Sequence, residues 1–339
     1  MKNYSIAIVG ATGLVGTTLL SLLAERNFPV NQLFPLASQQ SSGKHITFRG
    51  EQYRIQDLSS FDFTRTRIAF FCVGNDLAAE YAPKAAAAGN VVIDKSFYYR
   101  NHEDVPLLVP EVNLDALAGF RKRNIIANPN CNTIPIAVGL KPIYDAVGIE
   151  RINVATYQSV SGTGKEAVAE LTEQSRQLLD HQHIQPRVYS QQIAFNILPH
   201  IDEFQDNGYT REEMKIVWEM QKIYDDRTLA INPTAVRVPV VCGHSASVHI
   251  ETREKISTDQ ALKILASAPG VRLVTGKFPY ATPVVDATGN DHVHIGRVRE
   301  DISHTRGLNL WIVSDNLRKG AATNAVQIAE HLIEHYSPL

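Results

Sequence analysis

The sequence predicts an α/β chain of two domains, an N-terminal doubly wound parallel sheet of the Rossmann type followed by an α+β domain. Three observations predict it. A glycine turn sits between an apolar strand and a helix at the start of the chain, strands and helices alternate through about residue 127, and longer strand candidates take over beyond that point.

Residues 5–9, Ser-Ile-Ala-Ile-Val, form a short apolar run that enters Gly10-Ala11-Thr12-Gly13-Leu14-Val15-Gly16, and Leu19, Leu20, Leu22 and Leu23 follow at helical spacing. Glycines in such a turn let backbone N–H groups approach a pyrophosphate, and the helix N-terminus favours its charge. Gly10, Thr12, Gly13, Leu14 and Val15 are therefore candidate dinucleotide-binding residues. After a second strand at 33–37, an NAD-specific site places a carboxylate for the ribose hydroxyls. This chain instead reads Ser38-Gln39-Gln40-Ser41-Ser42-Gly43-Lys44. Hydroxyls and a lysine suit a 2′-phosphate, which favours NADP, although a solvated polar loop reads the same way.

Strands at 68–73 and 90–93 flank an Ala-rich helix at 77–88 and continue the parallel alternation. Beyond Cys131 the strand candidates are 151–160, 237–241 and 246–251, with helices over 165–179 and 258–266. The last segment carries Ala325, Ile328, Ala329 and Leu332 at helical spacing and is placed back over the first domain. The expected domains are 1–127, completed by about 320–339, and 128–319.

Composition narrows the function. With 339 residues, 44% hydrophobic content and a formal net charge of −2, the chain reads as a soluble metabolic protein that binds neither nucleic acid nor an anionic membrane. Three cysteines without paired spacing imply no disulfide framework and no metal site. Residues 1–4 lead into a strand without a signal segment, and no apolar stretch reaches membrane-spanning length, so a reduced, cytoplasmic setting is expected.

The candidate chemistry centres on Asn128-Pro129-Asn130-Cys131-Asn132-Thr133. A Pro-fixed turn before a helix starting near Pro135 sets Cys131 where orphan N–H groups and the positive dipole end favour a thiolate, and a thiolate is a nucleophile. A buried structural thiol is the alternative, and Cys72 and Cys242 read that way, as inert packing inside strands. Gln158 precedes the glycine turn Ser161-Gly162-Thr163-Gly164, which either connects strand to helix or lies against a cofactor ring, with Gln158 fixing the thiolate or a water. Arg237 and His244, seven positions apart, could share one rim.

Together these residues resemble the aspartate-β-semialdehyde dehydrogenases of the broad bacterial kind. The resemblance covers nearly the whole chain. It rests on the segment 10–16, Asn128 to Cys131, Thr156-Tyr157-Gln158-Ser159-Val160-Ser161-Gly162, Asp206-Asn207-Gly208-Tyr209-Thr210, Arg237-Val238-Pro239-Val240 with Gly243-His244-Ser245, and Asp315-Asn316-Leu317-Arg318-Lys319-Gly320. It implies that Cys131 is the acyl-accepting nucleophile, His244 the acid/base catalyst and Gln158 the positioner of nucleophile and water. It further implies that Arg237 clamps the substrate α-carboxylate, that Glu212 meets the amino group, and that Lys215 and Arg100 bind phosphate, with Asn130 beside the substrate. Ser38, Ser41, Ser161, Gly162 and Gln327 fall where the family contacts NADP. The implied reaction is conversion of L-aspartyl β-phosphate to L-aspartate β-semialdehyde, with release of phosphate, by a homodimer in lysine/diaminopimelate, methionine and threonine biosynthesis.

Three departures stand out. Lys95, Phe97 and Tyr98 add charge and bulk beside the phosphate region, Gln40 stands where many relatives carry an arginine for the 2′-phosphate, and Asn132 replaces the commoner Ser or Thr, a change expected to matter little. Two other readings remain open from the residues: an N-acetyl-γ-glutamyl-phosphate reductase-like enzyme, and a non-catalytic relative that keeps the fold.

Overall fold

The computed structural model describes residues 3–336; Met1, Lys2 and the part of the expected 320–339 segment beyond residue 336 lie outside the described residues. The chain divides into two compact units, one running to Asn130 and resuming at Ala321, the other spanning Cys131–Gly320.

The first unit holds a six-stranded sheet of β1 (Tyr4–Val9), β2 (Val30–Ala37), β3 (Gln56–Asp57), β4 (Ile68–Phe71), β5 (Val91–Asp94) and β6 (Ile125–Ala127). Its order is β3-β2-β1-β4-β5-β6 and every pairing is parallel, the doubly wound arrangement that reverses direction at β1. Burial on both faces accounts for the unbroken apolar runs of β1 and β4. Helix α1 (Leu14–Glu25) follows β1, and α2 (Asn75–Ala87) links β4 to β5.

The glycine turn is built on close approach. Gly10 has φ +85°, and a Cβ there would lie 2.5 Å from the Cys72 carbonyl oxygen, while one on Gly16 would lie 2.3 Å from the Gly10 oxygen. Only glycine lets β1, the turn and α1 pack this tightly. The last helix, Thr323–Tyr336, buries Val326, Ile328, Ala329 and Leu332 in the same core as Leu19, Leu22 and Leu23 of α1, which is why the end of the chain belongs to the first unit.

The second unit is built on a mixed six-stranded sheet of β7 (Ile149–Gln158), β8 (Ala230–Arg237), β9 (His244–Thr252), β10 (Val271–Leu273), β11 (Val293–Glu300) and β12 (Gly307–Ser314). The order is β8-β7-β9-β12-β11-β10, with β8 parallel to β7 and β9 antiparallel to it. Helix α3 (Thr133–Val147) is almost wholly buried through its first two turns, and α4 (Lys165–Leu179), α5 (Arg211–Ile223) and α6 (Thr258–Ala266) complete the unit, with α7 now denoting the terminal helix of the first. A capping box fixes the start of α5. Thr210 accepts from the Glu213 N–H, Glu213 accepts from the Thr210 N–H at 2.7 Å, and the other Glu213 oxygen accepts from Ala235 of β8 at 2.9 Å.

Two local expectations are corrected. The strand expected at 237–241 lies instead at Ala230–Arg237 and stops where the expected one began, because Pro239 has no N–H and the Val240 N–H turns back to Val238. Cys242 accordingly sits in the loop before β9 rather than in a strand, and Cys72 lies one residue past β4. Burial pushes the Cys72 thiol up to about 12 and, with Asp315 nearby, the Cys242 thiol up to about 11. Among the described residues, no helix is long and apolar enough to cross a membrane.

Candidate active site

In the second unit, sheet register gathers side chains that are far apart in sequence. Arg237 and Gln158 are paired at the ends of parallel β8 and β7, and β9 begins at His244, beside the Ser245–Tyr157 pair. One end of the sheet therefore carries all three residues. Cys131 reaches the same place from α3, which begins at Thr133 rather than near Pro135, because a proline in the first turn sacrifices no intrahelical bond. Gly320 closes over the cysteine: a Cβ there would come within 3.0 Å of the Cys131 carbonyl oxygen and 3.3 Å of its Cβ.

The half-buried Cys131 Sγ lies 3.4 Å from His244 Nε2. The Ser159 backbone N–H donates to His244 Nδ1 at 3.0 Å, which leaves the imidazole proton on Nε2, directed at the sulfur. Burial first, and the Arg237 guanidinium second, push the His244 pKa from 6.5 down to about 3. His244 is thus a neutral donor at neutral pH. The stability it contributes is fully present above pH 6.5 and declines as pH falls toward 3, because the unfolded chain takes up a proton that the folded chain refuses. The expected slope from this group is at most about 1.4 kcal/mol per pH unit. Denaturant unfolding from pH 6.5 to 4 should show a shallower acid decline in His244→Asn than in the parent, and equal slopes would contradict the assignment.

Arg237 is 5% exposed and donates from Nη1 to the Ser159 carbonyl at 2.7 Å, while its Nε has no hydrogen-bond partner among the described residues. A buried guanidinium N–H without a partner is costly, and a carboxylate oxygen is the group that satisfies it. Gly162 flanks both residues: a Cβ there would sit 3.2 Å from Arg237 Nη1 and 3.4 Å from His244 Nε2, so a side chain would crowd the space in front of them.

Glu212 and Lys215 share one face of α5. Glu212 Oε2 pairs with Lys215 Nζ at 3.1 Å, and Lys215 also pairs with Asp202 at 2.7 Å. Burial alone would raise the Asp202 carboxyl, but hydrogen bonds from Arg211 and Lys215 hold it well below the usual carboxylate range. Gln158 Nε2 donates to Glu212 Oε1 at 3.2 Å and to Thr156, and the amide next to the sulfur belongs to Asn132.

Sequence reasoning assigned no role to Asp202, and quoted Asn316 only within a motif. Asn316 Oδ1 accepts from Ser159, Ser161 and the Gly243 N–H, at 3.1, 3.2 and 2.8 Å, and so ties together the two loops that hold His244 in place. Its position in the Asp315-Asn316 motif was the only signal.

Other expected residues lie in the first unit. Arg100 is buried and donates to the Lys95 carbonyl at 2.6 Å, Asn130 is buried, and Gln327 on α7 donates to Glu111 at 2.8 Å. Ser38 and Gln40 are exposed and Ser41 half-buried in the turn after β2. Helix α1 is capped by Gly13 without a side-chain bond and has no acidic residue in its first turn, so its N-terminus suits an anion. The tight Gly10 and Gly16 contacts and this open helix end fit a dinucleotide pyrophosphate. Among the described residues, the group able to hold a metal ion is His331, Glu334 and His335 on α7, which shares no member with the Cys131 cluster.

The chain is similar to known proteins over nearly its whole length. The family described as "Semialdehyde dehydrogenase, NAD binding domain" matches residues 5–120, and "Semialdehyde dehydrogenase, dimerisation domain" matches residues 140–319. An aspartate-semialdehyde dehydrogenase of Shewanella sp. (strain DB6705) is 55% identical over 99% of both chains, and one of Legionella pneumophila is 56% identical over 98% of this chain and 96% of its own. The solved structure of aspartate semialdehyde dehydrogenase II from Vibrio cholerae, complexed with ASA, is 55% identical, covers 99% of this chain and 100% of its own, and has a TM-score of 0.98. The chain belongs to the aspartate-semialdehyde dehydrogenase family.

Proposed function

We propose that this chain, as a homodimer, catalyses the NADPH-dependent reductive dephosphorylation of L-aspartyl β-phosphate to L-aspartate β-semialdehyde, a step toward lysine/diaminopimelate, methionine and threonine. The observation that carries it is the Cys131 sulfur 3.4 Å from His244 Nε2, beside a buried Arg237, in a chain 55% identical to enzymes of that name. Relatives of that name also favour this reading over the acetylglutamyl enzyme.

In this reading the Cys131 thiolate attacks the acyl carbon, the carbon–oxygen bond to phosphate breaks, and phosphate departs to leave a thioester on the sulfur. The Gly10 to Val15 turn, Ser38, Ser41, Ser161, Gly162 and Gln327 would hold NADPH, which would supply a hydride when bound. Cys131 then leaves as thiolate when the carbon–sulfur bond breaks and the aldehyde forms. His244 works from Nε2, where a neutral N–H holds the sulfur and offers a proton to whatever forms on it. Arg237 takes the α-carboxylate through its fork, Glu212 the amino group, and Lys215, Arg100 and Asn130 the phosphate end. Gln158 acts by holding the Glu212 carboxylate.

The test is phosphate-dependent NADP reduction with L-aspartate β-semialdehyde, run beside NAD and beside N-acetylglutamate γ-semialdehyde. Turnover confined to the aspartyl aldehyde with phosphate is expected. Silence from a folded sample that binds NADP would overturn the reaction, and equal use of NAD would mean that the turn at 38–44 does not select for the 2′-phosphate.

A further inference from the structure

The residue after the nucleophile does more than its position suggests. Asn132 caps α3, and an asparagine there ordinarily accepts a backbone N–H of the first turn through its side chain. Here it makes no side-chain cap bond. The residue is 2% exposed and its carboxamide is turned the other way, with Nδ2 at 3.3 Å from Glu212 Oε1 and 3.9 Å from Cys131 Sγ.

The partner decides which end of the amide faces the sulfur. Glu212, ion-paired to Lys215 at 3.1 Å, presents a carboxylate oxygen that only accepts. Turning the amide over would set Oδ1 against that oxygen, so the NH2 group must point toward Glu212. The same nitrogen then donates to the carboxylate at 3.3 Å and to the sulfur at 3.9 Å. Gln158 also donates to the same Glu212 oxygen at 3.2 Å, which keeps the carboxylate in place.

We propose that Asn132 is a second hydrogen-bond donor to the reacting sulfur, oriented by Glu212, and that with His244 it holds Cys131 as a thiolate. The proposal rests on the reading of Cys131 as the nucleophile. A serine or threonine at this position is too short to span sulfur and carboxylate together. Asn132 therefore links the residue assigned to the substrate amino group directly to the nucleophile.

The test is the pH dependence of Cys131 alkylation by iodoacetamide in the full chain, followed by peptide mass so that Cys72 and Cys242 are scored separately. Asn132→Leu should raise the midpoint by about one pH unit, which makes alkylation about tenfold slower below it. Asn132→Asp, which puts an acceptor against the sulfur, should raise it further. Asn132→Ser, the smallest polar replacement, should shift the midpoint in the same direction if the leucine variant does not fold. In Glu212→Gln, where the amide is no longer oriented, adding Asn132→Ser should bring little further shift. With the aldehyde substrate, kcat of Asn132→Ser should fall about tenfold with KM little changed. Parent-like midpoints in folded Asn132→Leu or Asn132→Ser would overturn the proposal. Alkylation needs no substrate, so a parent protein inert toward the aspartyl aldehyde would sink the reaction while leaving this result readable on its own.

Discussion

Replacing Cys131 with alanine is expected to lower kcat by about 10⁴-fold or more while leaving NADP affinity and the unfolding midpoint close to those of the parent. In this mechanism the Cys131 sulfur carries the acyl group. Two groups that face it, His244 Nε2 and the Asn132 amide, are hydrogen-bond donors and cannot substitute for it. The half-buried thiol contributes little packing, and the glycine turn that fits the cofactor lies in the other unit, so neither folding nor NADP binding should follow turnover downward. Steady-state kinetics, fluorescence titration with NADPH and a denaturation curve check the three parts separately. Residual turnover within tenfold of the parent would remove Cys131 from the mechanism.

Arg237→Lys is expected to cost about 10²-fold in kcat/KM, mostly as a higher KM for the aldehyde. The charge survives this change, but the planar fork does not. In the parent, Nη1 is anchored to the Ser159 carbonyl at 2.7 Å, so the remaining edge is held rigid with Nε still to be satisfied. Lysine offers one mobile ammonium, which must choose between that carbonyl and the substrate. The ordinary surface alternative is excluded by burial: at 5% exposure the guanidinium has no solvent to fall back on. An unchanged KM would mean that the α-carboxylate binds elsewhere. A substrate analogue lacking that carboxylate should bind parent and variant equally, which separates loss of the clamp from general damage to the site.

Much of this protein is legible in the sequence because the signals are local. Helix spacing marks Lys165–Leu179 and Thr258–Ala266 to the residue, since caps and apolar periodicity act within a few positions. The glycine turn is legible for the same reason, as Gly10 and Gly16 leave no room for a side chain. The strand end near Arg237 was read too far along, because a run of valines around Pro239 has the composition of a strand and only the pairing with Gln158 shows where the ladder stops.

By itself the sequence determined the fold class, the cofactor-type turn, the nucleophile candidate and the family, all of which follow from residue type and spacing along the chain. Tertiary structure decided the rest. The register of β7, β8 and β9 brings Gln158, Arg237 and His244 to one end of a sheet, α5 swings Glu212 against them, and Asn132, dismissed on its identity alone, proves to bridge sulfur and carboxylate. The tautomer of His244 likewise depends on the Ser159 N–H that faces it. Apart from the one between the neighbours Cys131 and Asn132, these are contacts between residues 50 or more positions apart, whose distances are set by strand pairing and helix packing and leave no trace in local composition.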